Sequence, residues 1–226
     1  MSLLRPIADR IWIATAPVRF NGLRFTANMT VIQLTGGSLL LHSPIPFTPE
    51  LSREVDALGP VAHLYSPNTY HHLRIGDWHL AHPKATLHAP RGLRKKRPDL
   101  KIDRFHDGAP DPALGDLDEL PIDGFMLEER VVFHRATGTL IVADLVQNIG
   151  RPEHWFTRIY SKTFGFYDRL ALSRIIRLAF TDKKAGRKSI DAVLALPIQR
   201  LIVGHGEPVL KDAKAALTEA YRWLPR

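Results

Sequence analysis

Cysteine is absent from this chain, and long apolar segments are absent as well. Without cysteine the protein has no disulfides and no thiolate ligands, so any metal ion must be bound by His, Asp or Glu side chains. No stretch approaches the roughly 20 apolar residues that span a bilayer, and Arg5, Asp9 and Arg10 interrupt the segment in which a signal peptide would need an apolar run. These absences predict a soluble, cytoplasmic protein with no transmembrane segment.

Length and charge limit the remaining choices. The 226 residues are 45% hydrophobic, which is enough for a full core, so residues 1–226 are predicted to form one domain. The formal net charge is +8, and the basic excess is concentrated in residues 91–101 and 174–188. Basic clusters can bind phosphate backbones, but neither is interleaved with aromatic side chains as single-strand-binding surfaces are. Solvated surface is the simpler interpretation, and nucleic-acid processing stays as an alternative.

The predicted elements change from strands to helices along the chain. Residues 11–43 alternate β-rich runs with turns, which predicts an antiparallel meander. Next come a helix over 48–58, strands at 61–66 and 85–89, a basic loop or short helix at 91–97, a loop over 105–124 and a hairpin over 130–144. Helical patterns at 155–166, 168–180, 189–196 and 211–224 then surround a strand over 198–203. The aromatic and basic segment 155–180 could also form a homodimer contact or a lid over the site.

Residues 60–78 place two histidines directly after a predicted strand. The apolar run ends in a Pro-Asn turn, and His71 and His72 follow at once. Side chains that follow a strand in this way lie at the edge of a sheet, where sites are often built. Asn68 and Tyr70 belong to the same loop and are predicted to face a substrate.

Two further strands end in groups that can bind a metal. The strand over 139–143 ends at Asp144, and the strand over 198–203 ends at His205, which lies between two glycines that permit a sharp turn and close approach. If these strand ends share one edge with His71 and His72, three imidazoles and one carboxylate converge. Such a set suits Zn²⁺ or Fe²⁺ and fits Ca²⁺ or Mg²⁺ poorly.

Each of these residues also has an ordinary structural interpretation. Asp144 could cap a helix, and His205 could be a turn residue between its glycines. His71 and His72 could be partly exposed loop residues, since the chain has 11 histidines and chance clustering is not negligible. The sequence leaves these alternatives open.

In the order of its elements and strand-end residues, the chain resembles the metallo-β-lactamase fold superfamily. The likeness runs from about residue 11 to residue 223 and is greatest for an uncharacterised branch, a domain of unknown function, with Pro-Asn-x-x-His-His in place of the usual site motif. The resemblance implies an α/β (α+β) fold, a four-layer αβ/βα sandwich. It also implies a metal site at the strand ends.

The site motif departs from the superfamily pattern His-x-His-x-Asp-His. The first two motif histidines fall on Pro67 and Thr69, so both are lost. The motif Asp falls on His71, which can still bind a metal, and the last histidine is retained as His72. The first metal position of the superfamily is therefore not implied here.

The rest of the superfamily's ligand set is partly retained. Asp144 falls at the bridging Asp and His205 at the final His. The middle His falls around residues 126–129, where the chain has none and where Glu128 or Glu129 could substitute. The resemblance therefore implies a degenerate site with one Zn or Fe ion at most.

These observations predict a metal-dependent hydrolase with an unknown small-molecule substrate. The predicted metal ligands are His71, His72, Asp144 and His205. Four protein ligands leave little room for water in a tetrahedral site, which favours five-coordination or one weak ligand. The leucine run also ends in His42-Ser43 where the superfamily usually has Asp-x-Gly. A catalytically inactive binding or scaffold protein of the same fold is the alternative.

Overall fold

Two β-sheets form the centre of the molecule. The computed structural model describes residues 2–107 and 111–225. Seven strands form the first sheet in chain order: β1 Arg5–Ala8, β2 Ile11–Phe20, β3 Leu23–Gln33, β4 Leu39–His42, β5 Val61–Tyr65, β6 Thr86–Ala89 and β7 Arg104–Phe105. Neighbours are antiparallel from β1 to β4 and parallel from β4 to β7.

The second sheet has four strands in the order β11-β10-β9-β8. Its strands are β8 Leu117–Pro121, β9 Arg130–His134, β10 Thr139–Ile141 and β11 Arg200–Ile202. The helices are α1 Pro49–Asp56, α2 Ile75–Ala81, α3 Leu93–Lys96, α4 Trp155–Thr163, α5 Lys183–Ala195 and α6 Ala213–Ala220. None of the helices in the part of the chain that the structure describes has the length and apolarity to span a bilayer.

Apolar side chains fill three layers of core. Between the sheets, residues such as Ile13 and Leu40 of the first pack with Val132 and Ile141 of the second. A second cluster, which includes Trp78 of α2, covers the outer face of the first sheet. A third, built by α5 and α6, covers the outer face of the second sheet. The predicted four-layer αβ/βα sandwich is confirmed.

Local signals placed several helices well. Thr48 caps α1 by accepting a hydrogen bond from the Leu51 amide at 3.2 Å, and Pro49 occupies the first helical position. Residues 77–80, for which the sequence pattern distinguishes neither helix nor strand, lie in helix α2. Helix α5 begins earlier than the predicted residue 189, because Asp182 caps it by accepting from the Ala185 amide at 2.9 Å.

The predicted helix over 168–180 is wrong for most of its length. Only a short 3-10 turn, Ile176–Ala179, is helical there. Ala171 instead exchanges two backbone hydrogen bonds with Gln147, at 3.0 and 3.1 Å, and Phe180 forms a bridge with Phe125. Tertiary pairing therefore overrides the apolar spacing that indicated a helix.

Helix α4 lies against the β2–β3 hairpin and leaves part of its apolar surface in solvent. The Arg24 amide donates to Thr157 Oγ1 at 2.8 Å, while Trp155 and Ile159 are exposed. A dimer contact through residues 155–180 stays a prediction.

Backbone hydrogen bonds tie the loops after β10 and β11 to β3. The Asn28 amide donates to the Gly204 carbonyl at 2.9 Å, and the Gly204 amide donates to the Ala143 carbonyl at 3.3 Å. The segments that carry Asp144 and His205 are therefore adjacent at one edge of the sheets.

Candidate metal centre

Three predicted ligands converge at this edge, and we call His71, Asp144 and His205 the strand-end cluster. Asp144 Oδ1 lies 3.4 Å from His71 Nε2 and 3.6 Å from His205 Nε2. The side chains are only 8%, 11% and 13% exposed for His71, Asp144 and His205 respectively. One carboxylate oxygen thus faces two imidazole nitrogens, and all three side chains keep a small solvent-exposed surface.

The backbone determines which nitrogen of the His205 ring carries the hydrogen when the ring is neutral. His205 Nδ1 lies 2.9 Å from the carbonyl oxygen of Thr26. A carbonyl only accepts, so Nδ1 carries the hydrogen and the Nε2 of a neutral ring has a lone pair. That lone pair faces Asp144 Oδ1, and two acceptors in such proximity require a proton or a metal ion between them.

Ser43 performs a similar role behind His71. Its Oγ lies 2.5 Å from His71 Nδ1, which leaves His71 Nε2 facing Asp144. Ser43 has a φ of 56°, in the left-handed region that non-glycine residues rarely adopt. Burial disfavours the charged imidazole of His71, but Asp144 outweighs it by charge and hydrogen bonding, so the pKa of His71 is raised above 6.5.

A buried carboxylate supports Asp144 from behind. Glu129 accepts backbone hydrogen bonds from Ala143 at 2.8 Å, Asp144 at 2.9 Å and Leu145 at 3.2 Å. Burial, together with the neighbouring charge of Asp144, raises the pKa of Glu129 to about 7. Burial also opposes ionisation of Asp144, but His71 and His205 hold the Asp144 pKa well below its usual value.

Asn68 connects the two carboxylates. Its Nδ2 donates to Glu129 Oε2 and to Asp144 Oδ2, each at 2.9 Å, and its Oδ1 accepts from the amides of Tyr70 and His71. The residue is completely buried. The structure thus places Asn68 inside the protein as a support for Asp144 and for the loop, and not at the surface where a substrate would meet it.

Tyr70 and His72 lie on the other side of this loop. Tyr70 is 53% exposed, and Lys96 Nζ of the basic segment 91–101 lies 4.1 Å from the centre of its ring. The His72 ring is buried next to Arg97, with 3.4 Å between Nδ1 and the guanidinium. Burial and Arg97 lower the His72 pKa to about 4. The structure therefore brings together three of the four predicted ligands and places His72 outside the cluster.

Glycine is required at residue 204 for this close packing. A Cβ there would lie 2.7 Å from the Ala143 carbonyl oxygen and 2.8 Å from His71 Cε1. Gly206, with a φ of 88°, would place a Cβ 2.0 Å from the Asn148 carbonyl oxygen. The glycines on both sides of His205 thus let the loop after β11 approach the other two ligands.

Sequence reasoning missed the supporting role of two residues. Ser43 was noted only as a departure from the superfamily pattern, and Glu129 only as a substitute ligand. The available signal was a glutamate next to the apolar strand over 130–134, because a carboxylate buried there needs hydrogen-bond donors. Thr26 contributes through its backbone, for which the sequence carries no signal.

Solved structures with the same fold were found over nearly the whole chain. A metallo-beta-lactamase from Pontibacter korlensis superposes with a TM-score of 0.66 at 13% identity, covering 98% of this chain and 97% of that one. One from Hirschia baltica gives a TM-score of 0.64 at 13% identity, covering 99% and 98%. The metal-soaked Flv1 flavodiiron core from Synechocystis sp. PCC6803 gives 0.66 at 15% identity, covering 98% of this chain and 60% of that one.

These likenesses show that the chain has the metallo-β-lactamase fold, as its motif order predicted. No protein-family model and no curated protein matches the sequence. Identities of 13–15% establish the fold alone.

Proposed function

We propose that the strand-end cluster binds one divalent metal ion, zinc or iron, and that the protein is a metal-dependent hydrolase with a small-molecule substrate. The observation that carries the proposal is the convergence of two imidazole Nε2 atoms on one oxygen of Asp144. The His205 Nδ1 is committed to a carbonyl, so its Nε2 is available as a ligand.

The donor set fits such an ion chemically. Two imidazoles and a carboxylate form the protein ligand set of several catalytic zinc sites, and of non-haem iron sites. Three protein ligands answer the objection that four would leave little room for water. A metal ion bound there would supply Lewis-acid chemistry, which activates water and polarises a scissile group.

The chain's own residues would fix and screen this site. Ser43 Oγ and the Thr26 carbonyl orient the two imidazoles, and Asn68 orients the carboxylate. Glu129 holds the backbone on both sides of Asp144. Such supporting hydrogen bonds keep ligands within the narrow geometry that binding needs.

The test uses metal-depleted protein and a panel of ester, thioester, amide and phosphodiester substrates. We expect hydrolysis to return when zinc or iron is added to the wild type, and not in Asp144→Asn. His72→Ala is the matched control, because it removes a neighbouring histidine outside the cluster and should respond like the wild type. Equal activity of Asp144→Asn and the wild type, or none in either, would contradict the proposal; the second result would favour the binding or scaffold role.

A second function is favoured by one further observation. The His71 ring lies between a hydroxyl and a carboxylate: its Nδ1 is 2.5 Å from Ser43 Oγ and its Nε2 is 3.4 Å from Asp144 Oδ1. This Ser-His-Asp order is that of a serine hydrolase triad. In that case Ser43 would be the nucleophile and no metal would be needed. The position of Ser43 in a left-handed turn also resembles the strained turn of a nucleophile.

Ser43→Gly separates the two functions, because glycine accepts the left-handed backbone and the substitution removes the side chain that carries the hydroxyl. If the metal carries the chemistry, the variant retains hydrolysis at saturating metal, and a chelator abolishes the wild-type activity. If Ser43 is the nucleophile, the variant is inactive and the chelator has no effect on the wild type.

A further inference from the structure

A second group of two imidazoles and a carboxylate lies within the parallel part of the first sheet. We call His63, His88 and Asp111 the β5–β6 cluster. His63 Nδ1 lies 3.0 Å from His88 Nε2, and Asp111 Oδ2 lies 3.8 Å from the same nitrogen. All three ligand atoms are within 4.8 Å of one another.

The strand register puts this cluster together. In the parallel ladder His63 pairs with Thr86 and Tyr65 pairs with His88, so His63 and His88 project from the same face. Both histidines are buried, and the Tyr65 ring stacks on His88 with 5.8 Å between ring centres. Asp111 is held at the start of a 3-10 turn, where its Oδ1 accepts from the Ala113 amide at 3.0 Å.

Hydrogen bonds and ion pairs join these groups only in pairs, His63 Nδ1 with His88 Nε2 and Asp111 Oδ2 with Arg104 Nε. His88 Nε2 faces both His63 Nδ1 and Asp111 Oδ2, and a single hydrogen on that nitrogen can serve only one of them. One metal ion would bind all three atoms. Two imidazole nitrogens on a tetrahedral zinc lie about 3.3 Å apart, which is close to the observed 3.0 Å. Asp111 Oδ2 lies 3.8 Å from His88 Nε2 and within 4.8 Å of His63 Nδ1, so it would move by about 0.5–1.5 Å toward the two nitrogens to complete the set.

Arg104 is paired with the carboxylate of this cluster and would lower its affinity for a cation. Its Nε lies 2.9 Å from Asp111 Oδ2, and its side chain is 45% exposed. The guanidinium neutralises part of the carboxylate charge and repels a nearby cation, but its exposure allows it to remain on the solvent side. The half-exposed Arg104 also marks the side from which an ion would enter.

We infer that His63, His88 and Asp111 form a second metal site, which binds a divalent transition metal ion such as zinc independently of the strand-end cluster. Three ligands from two buried strands and one capped turn are already close to a common point. This site lies outside the set of strand-end residues on which the proposed hydrolase depends.

The test is zinc stoichiometry of the full chain after metal removal and equilibrium dialysis against zinc, measured by elemental analysis. The Asp144→Asn background eliminates the strand-end cluster, so any remaining zinc reports on the β5–β6 cluster. We expect one zinc per chain in Asp144→Asn and none after adding Asp111→Asn. We further expect about tenfold tighter binding after adding Arg104→Gln, which removes the repelling charge.

Asp111→Asn is chosen because it keeps the size of the side chain, and circular dichroism verifies the fold. His134→Gln, which removes a buried histidine outside both clusters, is the matched control and should leave the zinc count unchanged. No zinc in Asp144→Asn, or one zinc in both Asp144→Asn and its Asp111→Asn derivative, would overturn this inference. If Asp111→Asn alone empties the wild-type chain while Asp144→Asn retains its zinc, the second site stands and the proposed hydrolase site fails.

Discussion

The strand-end cluster and the β5–β6 cluster have the same composition but different support. In the strand-end cluster the far nitrogen of each imidazole is hydrogen-bonded, His71 to Ser43 and His205 to the Thr26 carbonyl. In the β5–β6 cluster the far nitrogens of His63 and His88 make no hydrogen bond within residues 2–107 and 111–225. In the strand-end cluster these hydrogen bonds leave Nε2 of each ring as the atom that can bind a metal. In the β5–β6 cluster no such hydrogen bond determines which ring nitrogen is the ligand.

The carboxylate of the strand-end cluster is also better supported by hydrogen bonds than the carboxylate of the β5–β6 cluster. Asp144 is backed by an amide donor from Asn68 and by the buried Glu129, which together hold it in place. Asp111 shares its oxygen with the guanidinium of Arg104. Because hydrogen bonds behind a ligand raise metal affinity, we expect the strand-end cluster to bind zinc more tightly than the β5–β6 cluster.

Removal of Glu129, which supports only the strand-end cluster, should have the largest effect of the substitutions considered. Glu129→Ala leaves three backbone amides without their acceptor in a buried position and removes one of the two acceptors of Asn68 Nδ2. We expect a loss of about 3–5 kcal/mol in the free energy of unfolding, measured by urea denaturation. Glu128→Ala is the matched control: Glu128 is the exposed neighbour, and its removal should have a much smaller effect. Similar losses in both variants would mean that Glu129 is not the support described here.

Removal of the Ser43 hydroxyl should reduce the difference in zinc affinity between the two clusters. We expect Ser43→Gly to weaken zinc binding at the strand-end cluster about 10–100-fold, because His71 loses the partner that orients it. Zinc affinity at the β5–β6 cluster should not change. Isothermal titration with zinc in an Asp111→Asn background isolates the strand-end cluster, and an unchanged affinity there would argue against the orienting role.

His42 offers a third kind of buried histidine, outside both clusters. Its Nε2 has no hydrogen-bond partner among the residues that the structure describes. Burial, followed by the charges of His71 and His106, lowers the His42 pKa to about 3. The unfolded chain therefore binds more protons than the folded chain between about pH 6.5 and pH 3, and stability falls as the pH falls through that range.

His42→Phe should remove this pH dependence while keeping the stack on Tyr65. We compare the free energy of unfolding of the variant with that of the wild type at pH 8 and at pH 5. Between these two pH values the difference should shift in favour of the variant by up to about 2 kcal/mol. Unfolding curves at both pH values measure it. A difference that is the same at pH 5 and pH 8 would show that His42 does not contribute through titration.

His72→Ala should have the smallest effect on metal binding. The ring lies beside Arg97 and outside the strand-end cluster, so zinc affinity should change by less than about twofold. Zinc titration in the Asp111→Asn background checks this. A large loss of affinity would return His72 to the ligand set that the motif implied.

The sequence predicted the fold more completely than the site. The resemblance implied a metal site at the strand ends, and the structure places the Nε2 atoms of His71 and His205, which are over 130 positions apart, within 3.6 Å of one Asp144 oxygen. The 168–180 segment was mispredicted because the pairing of Ala171 with Gln147 is a long-range contact that local periodicity does not register. Side-chain direction was beyond the sequence as well: adjacent histidines, His71 and His72, point to different surroundings.

The support behind the site could be predicted least. The contacts of Ser43 with His71 and of Thr26 with His205 join residues 28 and 179 positions apart. Neither has a motif, since a hydroxyl and a backbone carbonyl occur everywhere in a chain. The β5–β6 cluster was hidden for a related reason: nothing distinguished its two histidines from the other nine of the 11 in the sequence, or Asp111 from other loop carboxylates.

Zinc content of Asp144→Asn, compared with the wild type after identical dialysis, tests the central claim most directly. If the strand-end cluster binds zinc, the substitution removes one zinc ion per chain, whatever the β5–β6 cluster binds, and the circular dichroism spectrum stays unchanged. An equal number of zinc ions in both folded proteins would contradict it.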